Sequence, residues 1–141
     1  MNMHNQISTR LFTRFDAYAD LAEQLTDELL HQKVDVPKHK SLAEHLWCVV
    51  GARESYATAI ETGAWPGFSC SMESFTAKDF KAKLTESSNS VRSAVSGLDA
   101  WSDEQSEFLA TLAEHEVMHE GQIIRHMYAL ERELPASWVW A

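Results

Sequence analysis

The chain has 141 residues, enough for one domain with a real core, and its 45% hydrophobic and 23% charged content is that of a soluble globular protein rather than a disordered one. A formal charge of −9, from 21 acidic against 12 basic residues with no basic stripe, argues against nucleic acid and against an anionic membrane surface as partners. The start, MNMHNQISTR, has no apolar stretch of the kind a signal peptide needs, and the longest apolar run, LWCVVGA at 46–52, is far too short to cross a bilayer, so a cytoplasmic protein is expected.

Four segments have helical periodicity, and none alternates like a strand. The first covers residues 6–32, where Ile7, Leu11, Phe15, Tyr18, Ala22, Leu25 and Leu29 step by three or four and draw one apolar stripe. VDVPKHK then breaks the pattern at Pro37. The second opens at SLAE, where Ser41 and Glu44 predict a capping box, and runs to Gly63, placed to end it. Gly51 lies inside this helix at a cost in stability, which points to close packing there. A loop, GAWPGFSCSME at 63–73, follows. The third helix is predicted from a cap at Thr76 through Phe80, Leu84 and Val91 to Leu98. The last runs from about Ser102 to Arg132; Pro135 closes it, and the tail SWVWA is expected to fold onto the bundle or a subunit contact. Four amphipathic helices without strands predict an all-α four-helix bundle, a single domain over 1–141. The long connection between the second and third leaves room for a crossover.

The letters LAEH occur twice, at 42–45 and 112–115. They place His45 early in the second helix and His115 in the middle of the last. His119 lies one turn beyond His115 on the same face, with Cβ atoms ~5–6 Å apart, so both imidazoles can reach one ion at ~2.0–2.1 Å. With seven histidines in 141 residues, chance supplies roughly a third of such a pair, so the pair needs a third ligand to carry weight. His45 is the natural candidate, because Val49, Ala52 and Tyr56 make its stripe largely apolar. The plain alternative is a set of core histidines bonded to buried polar groups.

Residues 115–119 also read HEVMH, which fits the zinc-protease pattern H-E-x-x-H. The extended pattern wants glycine at 122 and histidine at 125, positions held by Gln122 and Arg125. Peptide substrates commonly add a strand to a sheet edge, and no sheet is predicted. The protease reading is therefore set aside, and Glu116→Gln is expected to matter little. Glu44, Glu114 and Glu116, each beside a ligand in sequence, should point off the ligand face. His126 falls ~10 Å along the axis from His119 and is expected in the core or on the surface. Cys48, three positions after His45, can reach the metal region, although a small thiol on an inward face is usual in cores. With Cys70 it makes two cysteines, too few for a disulfide framework, and both are expected to be reduced.

SLAEHLWCVVGARESYATAIETG, followed by LAEHEVMHEGQIIRHMYAL and LPASW, resembles the DinB/YfiT-like family of metalloenzymes over nearly the whole chain, in order and with matching element lengths. The resemblance implies a four-helix bundle in which one histidine of the second helix and an H-x-x-x-H pair on the last bind a divalent metal. Those positions here are His45, His115 and His119. It also implies thiol transfer, since family members include transferases that use bacillithiol or mycothiol, and a homodimer, since related bundles often pair.

Three neutral imidazoles leave an ion open positions, the arrangement of a catalytic site; zinc and nickel suit such ligands, and iron is compatible with them. The expected function is a divalent-metal-dependent enzyme moving a low-molecular-weight thiol to a small electrophilic substrate. A hydrolase in which the ion activates water is the alternative, and a non-catalytic metal- or ligand-binding bundle the third reading. No catalytic residue beyond the ligands is assigned.

Overall fold

Each helix begins where a short polar side chain takes up a free N–H of its first turn. In a computed structural model, which describes residues 2–141, Asn2 caps α1 (Met3–Ala22), Thr26 caps α2 (Asp27–His31) and Thr76 caps α4 (Ala77–Ser96). Ser41 with Glu44 and Ser102 with Gln105 form capping boxes at α3 (Leu42–Thr62) and α5 (Asp103–Ala129). Gly63 ends α3 in the left-handed conformation, φ 80°. The described residues contain no strand, and no helix is long and apolar enough to cross a membrane.

The segment predicted as one helix over 6–32 is two. At the end of α1 the Glu23 and Gln24 N–H groups bond three residues back, to Asp20 and Leu21 at 3.2 and 2.9 Å, which tightens and closes the helix. The Thr26 hydroxyl then accepts the Leu29 N–H at 3.1 Å and starts α2. Leu29 and Leu30 are buried after this turn. The apolar spacing runs through the break unchanged, so periodicity alone could not locate it.

Cross-helix contacts fix the directions. Lys81–Glu23 and Arg92–Asp16 make α4 antiparallel to α1, whereas His4–Ser106 and Arg14–Glu120 make α5 parallel to α1. Gln105 donates to the Ile60 carbonyl while His119 meets His45, so α3 is antiparallel to α5 and parallel to α4. The four long helices form a ring in the order α1, α4, α3, α5. Parallel α3 and α4 require the expected crossover: residues 63–76 run back along α3, pinned by Ser55 to Ser69, Glu54 to Ser71 and Cys70 to the Trp47 carbonyl.

Gly51 is where this return strap presses on α3. A Cβ there would lie 2.9 Å from the Cβ of Cys70 and closer still to the Phe68 ring. Gly51→Ala gains about 1 kcal/mol of helix propensity but forces a shift of the strap backbone, at about 1–3 kcal/mol. The expected net result is a lower unfolding midpoint by urea titration; a higher midpoint would mean the strap is not held at this position.

Two apolar clusters fill the bundle, one around Tyr18, Leu46, Val49 and Ile123, the other around Phe15, Ile60, Val91 and Leu109. Arg53 and Glu116, both fully buried, pair between them. The Arg53 guanidinium lies 4.2 Å from the ring centre of Phe15 in one cluster and 5.1 Å from that of Tyr18 in the other. Trp138 of the tail is buried and donates to the Ala17 carbonyl at 2.8 Å, while Trp140 is exposed.

Candidate metal centre

The Ser41 cap fixes where α3 begins and so puts His45 in its first turn. Antiparallel α5 brings His115 and His119 to the same level. His45 Nδ1 is 3.0 Å from His119 Nδ1, and the His115 and His119 rings are 4.5 Å apart, centre to centre. Among the described residues, the donor atoms that lie mutually within 4.8 Å belong to Cys48, His115 and His119. His45 joins this set through His119. Of the three histidines singled out from the sequence, His115 and His119 stand together with Cys48, and His45 meets this set at His119 alone.

Burial is the first cause of a lowered pKa at all three histidines, and the Lys40 ammonium adds to it at each. His45 falls to about 4 and His119 to about 3, the neighbouring imidazoles contributing. At neutral pH these rings are uncharged and carry free lone pairs, the form a metal requires.

Two neutral imidazoles at 3.0 Å can share a hydrogen bond or face one ion. Two nitrogens bound at ~2.0–2.1 Å with a right angle between them would stand about 2.9 Å apart, so the spacing suits both. His115 adds a further nitrogen. Its Nδ1 is buried and has no hydrogen-bond partner in the structure, and such an orphan costs about 1–3 kcal/mol. It is one of several such atoms, His126 Nε2 among them, and an ion bound at this nitrogen would satisfy it. The donor set fits a divalent transition metal.

The same burial has a pH consequence for metal-free protein. Unfolded histidines take up protons near 6.5, whereas folded His45 does so only near 4 and His119 near 3. In that window the unfolded state binds more protons, so stability is full above 6.5 and declines as pH falls through it. Urea midpoints at pH 7 and pH 5 check this, with the lower midpoint expected at pH 5. Equal midpoints would mean the rings are not buried as neutral groups.

None of the carboxylates beside the histidines joins them. Glu44 is exposed and caps Ser41, and Glu114 is exposed. Glu116 turns to the core, where its Oε1 accepts from Arg53 Nε at 2.9 Å and from Arg53 Nη2. Burial pushes its carboxyl upward, and Arg53 pulls it back. Glu120 accepts from Arg14 at 2.7 Å. His126 is fully buried and pairs with His39 through Nδ1 at 2.9 Å. The expectation that Glu116→Gln matters little is corrected: Glu116 is the counter-charge of a buried arginine. The one sequence signal for it is Arg53 itself, a lone cation in the apolar stretch VVGARES.

Two openings reach the cluster. A pocket of about 530 Å3 is bordered by His45, and one of about 440 Å3 by Trp47, Cys48 and Phe75; Lys40 lines both. The largest concavity, about 850 Å3, lies between α3 and α4 around Glu54, Glu61 and Glu86 and touches none of the histidines. No protein-family model matches the chain, and comparison with curated proteins finds no match.

Proposed function

We propose that this chain is a divalent-metal-dependent enzyme of the DinB/YfiT-like type, with zinc or nickel (or iron) held by His45, His115 and His119, that transfers a small thiol to an electrophilic substrate. The observation that carries the reading is a chain of uncharged imidazoles, His45 against His119 and His119 against His115, beside open pockets. His45 is taken as third ligand for its 3.0 Å approach to His119, while Cys48 is the residue whose donor atom lies within 4.8 Å of both α5 imidazoles. A bound ion supplies Lewis acidity, lowering the pKa of a thiol or water that reaches it.

Thiol transfer is favoured over hydrolysis by what the neighbouring acids do. Hydrolysis gains from a positioned general base, yet Glu116 and Glu120 are committed to Arg53 and Arg14, and Glu44 to Ser41. A thiol once ionised needs no such base. What this chain's own residues contribute is the ligand set, the Trp47 and Phe75 wall beside Cys48, and exclusion of water by the buried faces of α3 and α5.

Cys48 favours a second reading. As a fourth ligand beside three histidines it would close the coordination shell and make the bundle a metal binder without turnover. Cobalt-substituted protein distinguishes the two, because a thiolate on cobalt gives an intense near-ultraviolet band. The transferase reading expects that band only after 2-mercaptoethanol is added. A band present beforehand and lost in Cys48→Ser would establish the closed site instead.

A further inference from the structure

The pocket bordered by His45 has an electrostatic character opposite to that of the chain. Its charged lining is Lys38, Lys40 and Arg125, and it includes none of the 21 acidic residues of a protein with a formal charge of −9. Three charged residues drawn at random from such a composition would all be cations about one time in 25, and a cleft of one sign concentrates ligands of the other. Two of the three cations come from the connection before α3 and the third from α5, so the fold gathers them from positions far apart in sequence.

These cations are also free. None of the three makes an ion pair or side-chain hydrogen bond among the described residues, a state they share with Arg10, Lys33, Lys78 and Arg132. Glu44, which lines the adjacent pocket with Lys40, accepts hydrogen bonds from Ser41. Lys38 has φ 64°, a left-handed conformation that costs a side-chain-bearing residue roughly 1–2 kcal/mol. Strain of this kind gathers where a ligand is held. Arg125 supplies a planar fork matched to an oxyanion, and Lys40 a mobile point charge.

We propose that this pocket binds a small molecule through an oxyanion, a carboxylate or a phosphate, held by Lys40 and Arg125 with Lys38 at the rim, so that the rest of the ligand is directed toward His45. At about 530 Å3 the space suits a small metabolite rather than a polymer. The proposal names the substrate class of the site read above as a metal centre and rests on that reading only for the direction in which the ligand points.

The test needs no metal. Metal-free protein is titrated with succinate, with inorganic phosphate and with neutral succinamide, following backbone amide shifts of Lys40, Gly121, Gln122 and Arg125 by NMR. Saturable shifts confined to these amides with either anion, absent with succinamide and at least about tenfold weaker in Lys40→Gln/Arg125→Gln, are expected from the loss of charge-assisted bonds. A response to succinate alone assigns a carboxylate, and one to phosphate alone a phosphate. Both side chains are exposed, and a circular dichroism spectrum of the variant confirms its fold. No saturable shift with either anion, or equal affinity in the variant, would overturn the proposal. A chain that takes up no metal but binds the anion would remove the metal reading and leave this one standing.

Discussion

Glu116→Gln is expected to destabilise the fold by about 3–5 kcal/mol, the cost of stranding a buried charge, against total stabilities of about 5–15 kcal/mol for domains of this kind. Arg53 is fully buried. Glu116 supplies its counter-charge, the Leu84 carbonyl accepts from its Nη1 at 3.0 Å, and the Phe15 and Tyr18 rings flank it. Tyr18 also donates to the Glu116 carbonyl at 3.1 Å, tying α1 to α5 at the same level. A neutral glutamine keeps the shape and removes the charge. Replacing both partners by apolar residues, Arg53→Met with Glu116→Leu, removes the stranded charge and should recover most of the loss. Urea unfolding of the single and double variants decides it. A single variant that loses less than about 1 kcal/mol, within the range of exposed ion pairs, would contradict the structural role assigned to this pair.

The second large effect is on metal. His115→Ala and His119→Ala should each weaken metal binding at least about 100-fold, since even an outer-shell partner is worth 10–100-fold. Both should keep the helical circular dichroism spectrum, because neither residue caps a helix or bridges the two apolar clusters. His45→Ala should match them and Cys48→Ser should fall well short. The reverse order at these two positions would move the third ligand from His45 to Cys48. Retained stoichiometric metal in either α5 variant would remove that histidine from the site.

Much of the architecture was legible because it is written locally. Ser41 with Glu44 and Thr76 mark helix starts, and Gly63 marks an end, through short-range hydrogen bonds and backbone freedom that a sequence displays. The crossover could be anticipated from the length of the connection, and close packing at Gly51 from a glycine inside a helix; the strap is what lies against it. The break after Ala22 was not legible: it depends on a tightened turn and the Thr26 hydroxyl, while the apolar stripe continues across it.

The site divides in the same way. His115 and His119 follow from helix periodicity, and His45 from its apolar stripe, so the His45–His119 contact needed only the antiparallel packing of two predicted helices. Cys48 depends on the rotation of α3 against α5, which spacing does not set. The pairing of Arg53 with Glu116 and the gathering of Lys38, Lys40 and Arg125 join residues more than 60 positions apart. No local pattern announces contacts of that kind, and the overall negative charge pointed away from a cationic pocket.

Elemental mass spectrometry of untagged protein, purified without added metal or chelator, tests the central claim most directly. Near one equivalent of zinc, nickel or iron per chain is the result predicted by a site on His45, His115 and His119. No metal, even after reconstitution with excess zinc or nickel, would contradict it: the His45–His119 contact would then be a core hydrogen bond and His115 an unsatisfied histidine.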